Sequence, residues 1–221
     1  TAFEIDVDTM IGEHLVELRQ LLAGVRLIRE ATPRIAARVM ASGELMATAM
    51  SAAWLEQQGL PLHWHDARNL LISEPVGSPR QDYLSAVCAS DRDPHLSALL
   101  APKGIHLTQG FLAGHPDGDT VVLGRGGSDT SAAYFGAKRG ASRVEIWTDV
   151  PGMFSADPRI GPSARLLTEL DYQEAQEIAS AGGLVLHPRC IEPMAQHNIP
   201  LYVRCTSRPE LPGTLVANAT R

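Results

Sequence analysis

Apolar positions in this chain follow a helical period at the start and then break into short runs. Over residues 10–22, Ile11, Leu15, Leu18 and Leu22 fall at helical spacing and predict an amphipathic helix. Thr32 followed by Pro33 predicts the next helix start, a capping hydroxyl with proline at the first helical position. That pattern runs through Ile35, Val39, Leu45 and Leu55 to a stop at Gly59. Short apolar runs at 62–66, 104–109, 120–123, 143–148 and 200–204 then predict strands. Helices are predicted near 81–88, 93–100, 129–139, 171–181 and 189–197, and residues 72–80, rich in Ser, Pro and Gly, predict a surface loop. This alternation predicts an α/β fold with a largely parallel sheet. With no internal repeat, low-complexity stretch or linker, one domain over residues 1–221 is the expectation.

The most informative of these junctions is Gly124-Arg-Gly-Gly-Ser-Asp-Thr-Ser. A strand from Thr120 to Leu123 enters a glycine turn and leaves as a helix carrying Ala132, Ala133, Phe135 and Ala137. Glycines at 124, 126 and 127 let the backbone approach a ligand closely. Ser128, read as an N-cap, would leave free N–H groups and a positive helix end facing an anion. Arg125 suits bidentate capture of a carboxylate or phosphate, and Asp129 beside it brings the opposite charge to the same spot. The loop matches neither the Gly-x-Gly-x-x-Gly dinucleotide fingerprint nor the Gly-x-x-x-x-Gly-Lys-Ser/Thr phosphate loop, so a nucleotide site here must be of another design. A second polar loop, Asp149-Val-Pro-Gly-Met-Phe-Ser-Ala-Asp-Pro-Arg, follows the strand Val144-Glu-Ile-Trp-Thr. In open α/β sheets, loops at the carboxyl ends of neighbouring parallel strands share one crevice.

Composition narrows the class. The 221 residues are 44% hydrophobic and 20% charged, enough for a core without disulfides, and carry a net charge of −6 with no block of Lys or Arg. Nucleic acid and anionic membranes are poor partners for such a surface. Cys88, Cys190 and Cys205 are odd in number and form no Cys-x-x-Cys, which reads as reduced thiols. With no long apolar run and no signal peptide, a cytoplasmic protein is the expectation. His63 and His65 alternate on one predicted strand but lack a third ligand at metal-binding spacing. Trp54, Trp64 and Trp147 read as core or rim packing.

Four motifs in register carry a family resemblance: Ala41-Ser-Gly-Glu-Leu-Met-Ala-Thr, Gly124-Arg-Gly-Gly-Ser-Asp-Thr-Ser, Trp147-Thr-Asp-Val-Pro-Gly-Met-Phe-Ser-Ala-Asp-Pro-Arg and Leu186-His-Pro. Together, from about Thr32 to Val216, the chain resembles the catalytic domain of aspartate kinases in the amino-acid kinase family. Residues 153–159 and Leu186-His-Pro-Arg-Cys-Ile look most like the kinase part of bacterial fusions with diaminopimelate decarboxylase. The resemblance implies a three-layer α/β/α sandwich and transfer of the γ-phosphoryl of ATP to the side-chain carboxylate of L-aspartate. Mg2+ would enter as the companion of ATP, and a homodimer or a fused biosynthetic domain is among the implied partners.

Carried over by position, the resemblance puts the substrate against Arg125, Gly126, Gly127 and Ser128, with Glu44 near its amino group and Asp129 as the catalytic aspartate. Thr148, Asp149, Phe154 and Arg159 would meet the nucleotide, with Phe154 standing where relatives usually have tyrosine. Leu184 stands where they have a lysine near the phosphates, so one positive charge is missing. His187 reads as a structural loop residue. The family's opening strand and Lys-Phe-Gly-Gly-Thr loop have no match here, and no regulatory domain follows Val216 within the sequence. Two other readings stay open at this level: a kinase of the same fold for another small carboxylate, and a non-catalytic binding or regulatory module derived from one.

Overall fold

The computed structural model describes residues 6–156, 161, 163–182 and 185–218. In chain order the elements are α1 (Val7–Ile28), α2 (Pro33–Gln57), β1 (Leu62–His65), β2 (Ser73–Glu74), α3 (Pro79–Leu84), β3 (Val87–Cys88), α4 (Pro94–Leu99), β4 (Ile105–Thr108) and β5 (Leu112–Gly114). They continue with β6 (Thr120–Val122), α5 (Gly127–Arg139), β7 (Val144–Thr148), β8 (Glu169–Leu170), α6 (Tyr172–Ser180), α7 (Pro188–His197), β9 (Leu201–Cys205) and β10 (Thr214–Val216). The α/β class holds. β1–β4, β7–β9 and β8–β10 pair in parallel, and β2–β3, β5–β6 and β9–β10 pair antiparallel; of these only β7, β9, β10 and β8 share one sheet. By internal contacts the chain forms two compact units, the first of residues 1–89 and 98–128, the second of 90–97 and 129–221.

In the first unit α2 begins where Thr32 accepts a hydrogen bond from the Ile35 N–H at 3.3 Å, with Pro33 in the first turn. Its buried face is Ala37, Ala41, Ser42, Leu45 and Ala52, mostly small residues at helical spacing, so neighbouring elements approach closely. α1 lies along α2, and Arg38 pairs with Glu17 between them. Only half of the predicted helix over 81–88 forms. α3 stops at Leu84, the Ala86 N–H turns to the Val122 carbonyl at 3.0 Å, and Val87–Cys88 pairs with Ser73–Glu74 inside the segment expected to be loop. A strand of two residues has no period to read, so tertiary pairing overrides the local signal.

β1 and β4 pair in parallel with His63 opposite His106. The His63 and His65 side chains both meet His106. The His106 Nε2 lies 3.0 Å from the Pro102 carbonyl, which can only accept, so that nitrogen carries the proton and Nδ1 is left as acceptor. His65 Nε2–H therefore donates to His106 Nδ1 at 2.9 Å. Ring centroids 5.2 Å apart with planes 13° apart make this an edge-to-edge bond between nearly coplanar rings. Among the described residues no group of His, Cys, Asp and Glu is arranged to hold a metal ion.

The second unit has the four-stranded sheet β7-β9-β10-β8 with α5, α6 and α7. Its core comprises Ala133 and Ala137 of α5, Val144 and Ile146 of β7, Tyr172, Ala175 and Ala179 of α6, Cys190, Ile191 and Met194 of α7, and Leu201 and Val203 of β9. Asp171 and Glu174 form a reciprocal capping box at the start of α6. The three cysteines are free and buried, whereas Trp54, Trp64 and Trp147 are 43%, 39% and 44% exposed, which makes them rim residues. Among the described residues no helix is long and apolar enough to cross a membrane.

Candidate active site

In the first unit the glycine turn forms as the sequence predicts. The Leu123 N–H donates to the Phe111 carbonyl at 2.8 Å, the chain turns through Gly124 at φ 75° and Gly126 at φ 66°, and the Gly127 N–H closes the turn on the Gly124 carbonyl at 3.0 Å. Both positive φ values lie in the region that glycine enters without steric cost. Helix α5 starts at Gly127, so Ser128 is inside its first turn rather than capping it, a correction to the reading of Ser128 as N-cap. The turn tightens one residue earlier than the serine suggests because Gly126 itself supplies the left-handed step. Arg125 is exposed at the turn and Glu44 is half-buried on α2. Among the described residues neither makes an ion pair or side-chain hydrogen bond.

A second loop of this unit, with no motif to mark it in the sequence, frames that turn. Gln109-Gly110-Phe111 follows β4, and Gly110 lies so near Ser128 that an added Cβ would come within 3.2 Å of its Oγ. The Phe111 ring lies against Gly127, where a Cβ would meet Cδ2 at 2.6 Å. Phe111 itself sits at φ 70°, a conformation costing an L-residue about 1–2 kcal/mol, held by its carbonyl bond to Leu123 and by its packed ring. A glycine-aromatic pair at the end of a predicted strand was the available signal.

In the second unit Asp129 stands in the first turn of α5, where a carboxylate is favoured by the helix dipole. Burial nevertheless pushes its carboxyl above the usual range, offset in part by a hydrogen bond from the His187 backbone N–H and by the nearby His187 ring. His187 caps α7, its Nδ1 accepting from the Arg189 N–H at 3.3 Å. Its structural role is thus a double one, capping a helix with its side chain and holding Asp129 with its main chain. Cys190, one turn into α7, is pushed up to about 12 by burial and by the Asp129 charge, and is therefore a neutral thiol.

At the end of β7, Thr148 donates to Asp149 Oδ1 at 3.1 Å, and the Asp149 carbonyl meets Cys205 Sγ at 3.7 Å, so this loop is tied to β9. A hydrogen bond from Ser207 lowers the Cys205 thiol. Phe154 bridges to Leu166, and the Met153 N–H donates to Thr214 Oγ1 at 2.8 Å. Asp149 and Phe154 stand on the loop that follows Thr148, the last residue of β7. Arg159 and Leu184 lie outside the described residues.

The chain belongs to the amino acid kinase family, whose model matches residues 6–205. Within that family it is similar to lysine-sensitive aspartokinase 3 of Escherichia coli, 34% identical over 212 residues that cover 92% of this chain and 46% of that enzyme. It is also similar to the bifunctional aspartokinase/homoserine dehydrogenase of Haemophilus influenzae, 37% identical over 209 residues covering 94% of this chain and 25% of that protein. The crystal structure of E. coli aspartokinase III in complex with aspartate and ADP superposes with a TM-score of 0.86 at 31% identity, over 98% of this chain and 47% of that one. The chain thus spans between a quarter and just under half of these relatives' lengths.

Proposed function

We propose that this chain is the catalytic domain of an aspartate kinase, which transfers the γ-phosphoryl of ATP to the side-chain carboxylate of L-aspartate, giving 4-phospho-L-aspartate and ADP, the first step toward lysine, threonine and methionine. The observation that carries this reading is the turn between β6 and α5, with exposed Arg125 in it and Asp129 in the first turn beyond. The likeness to aspartokinases over more than nine-tenths of the chain supports it.

In this reading the guanidinium of Arg125 takes a substrate carboxylate through two charge-assisted bonds, and the turn at Gly126, Gly127 and Ser128 lets the backbone approach the substrate closely. Glu44 takes the ammonium. Asp129 orders cationic groups around the phosphoryl, and Thr148, Asp149, Phe154 and Arg159 hold the nucleotide. Leu184 contributes no charge to the phosphates. Mg2+ would be held mainly by phosphate oxygens of ATP, as its companion. Phosphoryl transfer needs little covalent help from the protein, so positioning and charge are what these residues supply.

The test is ATP turnover by the full protein with aspartate, glutamate and N-acetylglutamate as acceptors. Turnover with aspartate alone is expected. Turnover with either of the others and not with aspartate overturns the reading.

A further inference from the structure

Gln109 is fully buried in the first unit, and both ends of its amide are committed. Oε1 accepts from the Ala67 N–H at 2.7 Å, and since that group can only donate, the orientation of the amide is fixed. Nε2 then donates to Thr48 Oγ1 at 2.8 Å. The Thr48 hydroxyl also receives Trp64 Nε1 at 3.4 Å, so its single proton goes to the Glu44 carbonyl one turn back, at 2.9 Å, with the Leu45 carbonyl at 3.3 Å as a weaker alternative. Through this bond the Thr48 hydroxyl is tied to the main chain of Glu44.

The residue after Gln109 is Gly110, packed on Ser128, and Phe111 follows with its ring on Gly127. One buried amide thus stands between the turn of α2 that carries Glu44 and the loop that supports the first turn of α5. We propose that Gln109 is a positioning residue of the aspartate subsite. Acting through Thr48 it sets the backbone of Glu44, and through Gly110 and Phe111 it sets the position of the first turn of α5 at Gly127 and Ser128. This rests on the reading that Glu44 and Ser128 hold aspartate.

The test is calorimetric titration of the full protein with L-aspartate and, separately, with MgATP, for Thr48→Val, Thr48→Ser, Gln109→Glu and Glu44→Ala. Thr48→Val keeps the volume and removes the relay. Gln109→Glu keeps the acceptor for Ala67 and, titrated at a pH where its buried carboxyl is ionised, cannot donate to Thr48. Both should weaken aspartate binding by about fivefold to twentyfold, with nucleotide binding unchanged within about twofold. Thr48→Ser should restore wild-type affinity, and Thr48→Val added to Glu44→Ala should cost nothing further, because the relay acts only through Glu44. Normal aspartate binding by Thr48→Val overturns the proposal, as does parallel loss of aspartate and nucleotide binding, or additivity with Glu44→Ala. If Glu44→Ala itself binds aspartate normally, the assignment of Glu44 fails instead, and that outcome is distinct from a failure of the relay alone.

Discussion

Asp129 is held at a cost, since burial raises its carboxyl while only the His187 amide and ring oppose the shift. A folded-state value above the unfolded one means that the ionised group lowers stability at neutral pH, and the penalty fades as pH falls toward the ordinary aspartate range near ~3.9. Asp129→Asn should therefore melt higher than the parent at pH 7, with the difference shrinking as the buffer approaches pH 4. In the same variant kcat should fall by about 10²-fold or more with little change in KM for aspartate, the signature of an interaction made in the transition state. An equal kcat would remove Asp129 from the catalytic role. Arg125→Lys keeps the charge and loses the planar fork, so aspartate affinity should drop by about 1–3 kcal/mol while nucleotide affinity holds. A loss confined to the nucleotide would mean that the two binding roles are assigned the wrong way round.

Among the elements, the β6–turn–α5 junction depends on a side chain that is absent. At Gly127 a methyl group would collide with Phe111 and press on Leu123. Gly127→Ala should lower stability by about 1–3 kcal/mol in denaturant titration, as overpacking does. An unchanged midpoint would show that the Phe111 ring can move aside. This junction was legible in the sequence because glycine spacing and an apolar strand report local geometry directly. So were α2, announced by Thr32-Pro33, and the strands β7 and β9. What stayed hidden was set at a distance. The end of α3 at Leu84 depends on Val122, and the role of Gln109 depends on Thr48, 61 residues away. His106 gave no sign that it would meet His63 and His65, because the register of β1 against β4 is a tertiary choice. The serine at 128 has the chemistry of a cap, and only the backbone angle at Gly126 decides that the helix starts before it.

For the whole molecule, the described aspartates and histidines set an acid limit. Hydrogen bonds and ion pairs hold Asp66, Asp93 and Asp119 below the usual carboxylate range against the opposing effect of burial. Their stabilisation is complete above ~3.9 and is lost as pH falls through their lowered folded values. His65 acts earlier. Burial first, then His106 and His63, lower its folded value, so the unfolded chain takes up the proton more readily, and stability declines as pH falls from ~6.5 through that lowered value. Thermal melts between pH 8 and pH 5 should show this decline, and His65→Gln should flatten it; a decline of equal slope in the variant would place its origin elsewhere. The edge-to-edge histidine pair gives the decline a place in the structure. A proton taken up by His65 enters on a ring whose other nitrogen is bonded across the β1–β4 seam, so strand pairing, not the surface, registers it.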